Sequence, residues 1–177
     1  MADLVRWRWN RWDAHWTRNY YNHMPAWLVR ARVGHKVWAS YFKFCFERNP
    51  WDKALSMYWW RTRDAEGGGS RPPFGDWLAA NPDISDWPIY TLGGRLAVDA
   101  VGRYERLDED LRLFLDRIGI SRDDVQMPRA KSGLRQSDVL YDRETSEVVR
   151  DRCRREIEAF GFECPVELPA RNTPVPR

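Results

Sequence analysis

Cysteine is scarce in this 177-residue sequence: Cys45, Cys153 and Cys164 stand far apart, with neither a CxxC pair nor a metal-ligand spacing. That excludes a disulfide framework and a thiolate zinc site, and it points to reduced thiols in a cytosol-like compartment, so a cytoplasmic location and no metal are expected. Lysine is scarce too. There are four, at positions 36, 43, 53 and 131, against 25 arginines, for a net charge of +3. Arginine suits bidentate phosphate or sulfate contacts, but it also rises with genome base composition, so the excess marks no site by itself. No apolar run approaches the ~20 residues of a membrane span, and the opening MADLVRWRWNRWDAHWTRNYY is charged throughout, without the apolar core of a signal peptide. A mean hydropathy of -0.71 leaves a polar surface, and the length suits one domain.

What is present is concentrated between Tyr41 and Trp60. Phe42, Phe44 and Phe46 alternate with Tyr41, Lys43, Cys45 and Glu47, the period-two pattern of a strand that should be well buried on one face. Arg48 ends it. Asn49-Pro50-Trp51-Asp52 reads as a helix start, with Asn49 as N-cap, Pro50 at the first helical position and Asp52 placed like the acid of a capping box. The helix should run to about Arg61, with Ser56 on the side that Arg48 approaches. An arginine, a hydroxyl and a helix N-terminus at a strand's carboxyl end form a candidate phosphate site. A surface ion pair at Arg48 and a space-filling Ser56 would give the same local pattern.

The eleven residues Arg48-Asn49-Pro50-Trp51-Asp52-Lys53-Ala54-Leu55-Ser56-Met57-Tyr58 resemble the 3'-phosphate-binding motif of sulfotransferases that use 3'-phosphoadenosine 5'-phosphosulfate (PAPS). His23-Met24-Pro25-Ala26, the run Val98 to Leu107 and a segment from Tyr141 to Phe162 agree with that family in the same order, most closely with its carbohydrate sulfotransferase branch. The resemblance spans roughly residues 20–163. It implies an α/β, P-loop-like sulfotransferase fold with a mainly parallel sheet. It also implies transfer of a sulfuryl group from PAPS to a hydroxyl or amine acceptor, carbohydrate included, leaving adenosine 3',5'-bisphosphate (PAP). Arg48 and Ser56 would hold the 3'-phosphate, Tyr104 would lie near the adenine, and Lys131 and Arg135 would be phosphate contacts in a basic loop closing over the nucleotide. His23 is the candidate general base, against the alternative of a histidine that lines a helix start. Family members carry, near the N-terminus, a Gly-containing loop with Lys and Thr/Ser that grips the 5'-phosphosulfate. Nothing before Asn22 looks like it, so N-terminal truncation is expected. Lys36 to Ser40 lacks the glycine and the preceding strand, and is rejected as that loop.

The remaining chain reads as follows. In residues 1–19, Trp7, Trp9, Trp12 and Trp16 interleave with arginines; packing of a helix is favoured over binding to nucleic acid or a membrane surface. A helix from Asn22 to Trp38, entered through Pro25, should turn Trp27, Leu28, Ala31 and Val33 inward and bend at Gly34. Residues 61–88 form a long loop with a short helical piece near Phe74 to Ala80, the place for acceptor specificity. Gly93-Gly94 joins strands Ile89 to Leu92 and Leu96 to Tyr104. Asp108 to Ile118 is a helix stopped by Gly119; a last helix runs from Arg143 to Phe160, capped by Asp142, stopped by Gly161, and carrying a solvated face of arginines and glutamates. Residues 164–177 form a Pro-rich tail. The alternative to an enzyme is a non-catalytic PAP- or anion-binding remnant, or a partner-binding module, lacking the 5'-phosphosulfate loop.

Overall fold

The computed structural model describes residues 20–63, 71–125 and 141–165. Over these the chain is mixed α/β: α1 (Ala26–Ser40), β1 (Phe44–Glu47), α2 (Pro50–Arg61), α3 (Phe74–Ala80), α4 (Trp87–Tyr90), β2 (Thr91–Leu92), β3 (Arg95–Leu96), β4 (Ala100–Arg103), α5 (Leu107–Ile118), α6 (Arg143–Arg152) and α7 (Arg154–Phe160). No helix among the described residues is long and apolar enough to cross a membrane. The chain divides into two units, residues 1–43 with 88–99, and residues 44–87 with 100–177.

In the first unit, Pro25 occupies the N-cap position of α1 and its carbonyl accepts from the Leu28 and Val29 N–H groups at 2.9 and 3.1 Å. The bend expected at Gly34 is there, with φ 80° and ψ 161° inside the helix. The inward stripe is not: Trp27 is 58% exposed and Ala31 is exposed, while Met24 and Ala26 are buried. Full burial is limited to the entry of α1; Leu28 and Val33 are half-buried, and Arg30, Arg32 and Lys36 are exposed. β2 and β3 form an antiparallel hairpin through Gly93 (φ 57°) and Gly94 (φ 77°), the pair of positive φ values that a type I′ turn demands. Its first strand is shorter than expected because residues 87–90 make a helical turn, and the expected strand Leu96 to Tyr104 is divided, Arg95–Leu96 staying in the hairpin and Ala100–Arg103 forming β4. The Ala97 N–H to Tyr90 carbonyl bond, 3.0 Å, adds one more rung to the hairpin.

The second unit holds the main core. β1 and β4 pair in parallel, with Phe46 opposite Gly102 and Glu47 opposite Arg103. Phe44 and Phe46 meet Phe114 of α5 at centroid distances of 5.0 and 5.6 Å. The strand is only partly covered, less than its apolar pattern suggests, because Phe44, Cys45 and Phe46 all keep some exposure and only Glu47 is buried. Gly102 is required here: a Cβ on it would lie 2.6 Å from the Phe46 ring and 3.0 Å from that of Phe114. α2 packs with α3 and α6. Tyr58, Phe74 and Trp77 pack edge-on or stacked, Tyr141 meets Phe74 edge-on at 5.2 Å, and the Tyr141 hydroxyl donates to the Trp51 carbonyl at 2.8 Å. The Trp51 indole N–H reaches the Ser146 hydroxyl at 3.0 Å, so the core tryptophan keeps a polar partner.

The C-terminal helix begins at the expected cap: Asp142 accepts from the Thr145 N–H at 2.8 Å in a reciprocal capping box. It is not continuous. Cys153, fully buried with φ -107° and ψ 23°, separates α6 from α7. Nor is its charged face wholly solvated. Glu156 is fully buried, its Oε1 accepting from the Ser85 hydroxyl at 2.6 Å and the Trp87 N–H at 3.2 Å. Glu156 stands seven residues after Val149 and three after Cys153, on the face that both of these buried residues share, so the apolar stripe includes one carboxylate.

Candidate functional site

The parallel pairing of β1 with β4 brings Arg48 and Tyr104, each one residue beyond its strand, to the same carboxyl edge. The Arg48 guanidinium carbon lies 4.8 Å from the centroid of the Tyr104 ring, and its Nε donates to Asp52 Oδ2. The Arg48 side chain is 17% exposed, and among the described residues neither of its Nη nitrogens has a hydrogen-bond partner. Asp52 and Ser56, four residues apart on α2, share one face of that helix, and Arg48 reaches this face through Asp52. Ser56 is half-buried.

Asn49 caps α2 as its sequence demands, its Oδ1 accepting from the Trp51 N–H at 3.1 Å, and Pro50 stands at the first helical position. The local capping box does not form. Asp52 is turned to Arg48, and the Asn49 N–H instead donates to Glu105 Oε1 at 2.8 Å, a carboxylate 56 residues away. Asn49 Nδ2 also donates to the Glu163 carbonyl at 2.8 Å. Beside this helix start lies an open cleft of about 580 Å³, lined by Asn49, Arg103, Glu105, Arg106 and residues 161–163. The Arg103 side chain is already engaged, with Nη2 on the Phe160 carbonyl and the guanidinium 5.0 Å from the Phe162 ring centroid.

Behind the site, the Lys53 ammonium lies 2.8 Å from Glu47 Oε1 and 3.1 Å from Asp86 Oδ2. Burial by itself would push the lysine pKa down, but Asp86 and Glu47 together outweigh it and hold the ammonium above the ordinary lysine range. The thiols of Cys45 and Cys153 are pushed up to about 12, chiefly by burial. Neither is a nucleophile near neutral pH.

His23 belongs to the first unit; it is exposed and has a left-handed backbone with φ 58°. Lys131 and Arg135 lie outside the described residues. Among the described residues no three His, Cys, Asp or Glu side chains gather as a metal site. Three participants escaped sequence reasoning. Asp52 could have been found from its i+4 spacing to Arg48, whereas Glu105 and the buried Glu47 carry no local signal of their partners.

No family model matches the chain, and no solved structure matches it. An uncharacterized protein of Archaeoglobus fulgidus is 38% identical to it over 114 residues, which cover 60% of this chain and 92% of that protein. The chain belongs to the same family as this archaeal protein. That kinship carries no activity with it, so the functional reading rests on the chemistry of the Arg48 edge.

Proposed function

We propose that this protein is a PAPS-dependent sulfotransferase whose nucleotide occupies the edge formed by the ends of β1 and β4 and the start of α2. The observation that carries the reading is the meeting of Arg48 with Tyr104, two residues from separate motif-like stretches, at the carboxyl ends of parallel strands. Ligands of open α/β sheets bind at such edges. In this reading the open Nη nitrogens of Arg48 and the Ser56 hydroxyl take the 3'-phosphate of the donor, with Lys131 and Arg135 as further phosphate contacts. The P-loop-like sulfotransferase fold goes with it, β1 and β4 forming part of a mainly parallel sheet.

The reaction needs no redox partner. An acceptor oxygen or nitrogen, of a carbohydrate or another hydroxyl or amine compound, attacks the sulfur in line. The bond from sulfur to the bridging phosphate oxygen breaks, PAP leaves, and the acceptor proton passes to a base, for which His23 is the candidate. Calorimetric titration of PAP into the chain and into Arg48→Ala tests the reading. Loss of a charge-assisted phosphate contact should weaken binding about ten- to a hundredfold, or roughly 1.5–3 kcal/mol. Turnover of PAPS is the measurement to follow. Absence of PAP binding by the folded chain, or equal binding by Arg48→Ala, would remove the proposal.

A further inference from the structure

Arg48 is held on two sides and open on a third. Asp52, one helical turn away, accepts from Nε, and the guanidinium carbon lies over the Tyr104 ring, 4.8 Å from its centroid. The Nη edge has no partner among the described residues. A lone arginine on a strand end is a flexible chain whose ordering opposes ligand binding. Here that ordering is already done. A carboxylate at Nε leaves the two Nη donors facing outward together, the edge with which arginine meets a phosphate or sulfate through two parallel hydrogen bonds. Asp52 is itself placed by α2, whose start is fixed by Asn49 and, through the Asn49 N–H, by Glu105 next to Tyr104. The two sides of the clamp are thereby tied to each other.

We propose that Asp52 and Tyr104 are positioning residues that hold the Arg48 guanidinium with its Nη edge presented to an oxyanion. This assigns Tyr104 to the arginine rather than to the adenine, and it rests on the PAP-binding reading above.

The test uses the whole chain and two readouts, with circular dichroism to show that each variant is folded. Nitrogen-proton NMR of the arginine Nε–H groups reads the clamp without ligand. The Arg48 signal, assigned by its loss in Arg48→Ala, should exchange with water roughly tenfold more slowly than in Asp52→Asn. Calorimetry with PAP reads its consequence. Tyr104→Leu should bind about two- to fivefold more weakly, Tyr104→Phe should bind like the parent, and in an Arg48→Ala background Tyr104→Leu should change nothing further. A Tyr104→Leu loss that persists without Arg48 would mean direct contact between ring and nucleotide, and would overturn the positioning role. So would parent-like PAP affinity in a folded Tyr104→Leu variant while Arg48→Ala is impaired, or an Arg48 Nε–H that exchanges equally fast with and without Asp52. A parent chain that does not bind PAP, or does so independently of Arg48, instead removes the nucleotide reading, and this inference falls with it.

Discussion

Glu47 and Lys53 form a buried ion pair at 2.8 Å, the carboxylate 1% and the lysine side chain 9% exposed. The pair lies at the junction of β1 and α2, directly behind Arg48, whose own N–H donates to Glu47 Oε1 at 3.1 Å. Burying one such charge without its partner is costly, so Lys53→Ala should lower the unfolding free energy by about 3–5 kcal/mol. Replacing Glu47 and Lys53 together, as Glu47→Leu with Lys53→Met, should cost less than the single loss because the one carboxylate then left without Lys53, that of Asp86, is 39% exposed and keeps its water. Urea unfolding at pH 7 measures both variants. A Lys53→Ala change within about 0.5 kcal/mol, the range of an ordinary surface substitution, would refute the buried pair.

Gly102 faces Phe46 across the parallel ladder with no room for a methyl group. Gly102→Ala should therefore destabilise the protein by about 1–3 kcal/mol through overpacking. Combining it with Phe46→Leu should recover part of that loss, a coupling that a double-mutant cycle in urea detects. Independent, additive effects of the two substitutions would show that the steric conflict is absent.

The sequence disclosed elements whose determinants are local. Asn49-Pro50 opened α2, Asp142 capped α6, and Gly119 and Gly161 ended α5 and α7, because caps and stops act within a few residues. Alternation in Phe44 to Phe46 located β1 but not its depth, since the depth depends on how much of the sheet and of α5 covers it. The clamp on Arg48 was half legible: Asp52 lies four residues away, but Tyr104 arrives only through the parallel pairing of β4. Glu105 as the partner of the Asn49 N–H was not legible, and Glu156, although seven residues from Val149 on the inward face, gave no sign of the donors it would meet. Each owes its role to contacts formed across the chain, and an isolated acidic residue in a polar stretch reads as solvated whichever way it finally turns.

The thiols of half-buried Cys45 and fully buried Cys153 give a stability profile with a definite sign. Burial is the main cause that pushes Cys45 up to about 12, with Glu47 and Asp86 adding to it. For Cys153, also raised to about 12, burial again leads; Lys53 opposes it, and Glu156, Glu47 and Asp86 reinforce it. In the unfolded chain a thiol titrates near about 8.5. The folded state therefore keeps protons that the unfolded state releases, and stability present below that value is lost as pH rises toward the folded value. Lys53, whose folded pKa is also raised, contributes the same sign only above about 10.4. Burial also raises the phenols of Tyr58 and Tyr141, which add the same sign as pH approaches about 10, so the thiols lead in the window from about 8.5 to 9.5. The urea midpoint should fall across it, and the fall should be shallower in Cys45→Ala and in Cys153→Ala than in the parent. Alkylation by iodoacetamide at pH 8, mapped by mass spectrometry, should spare both residues in the folded chain and label them in urea. A midpoint that holds or rises through that window, or rapid labelling of Cys153 in the folded protein, would contradict a thiol sealed in the core between α6 and α7.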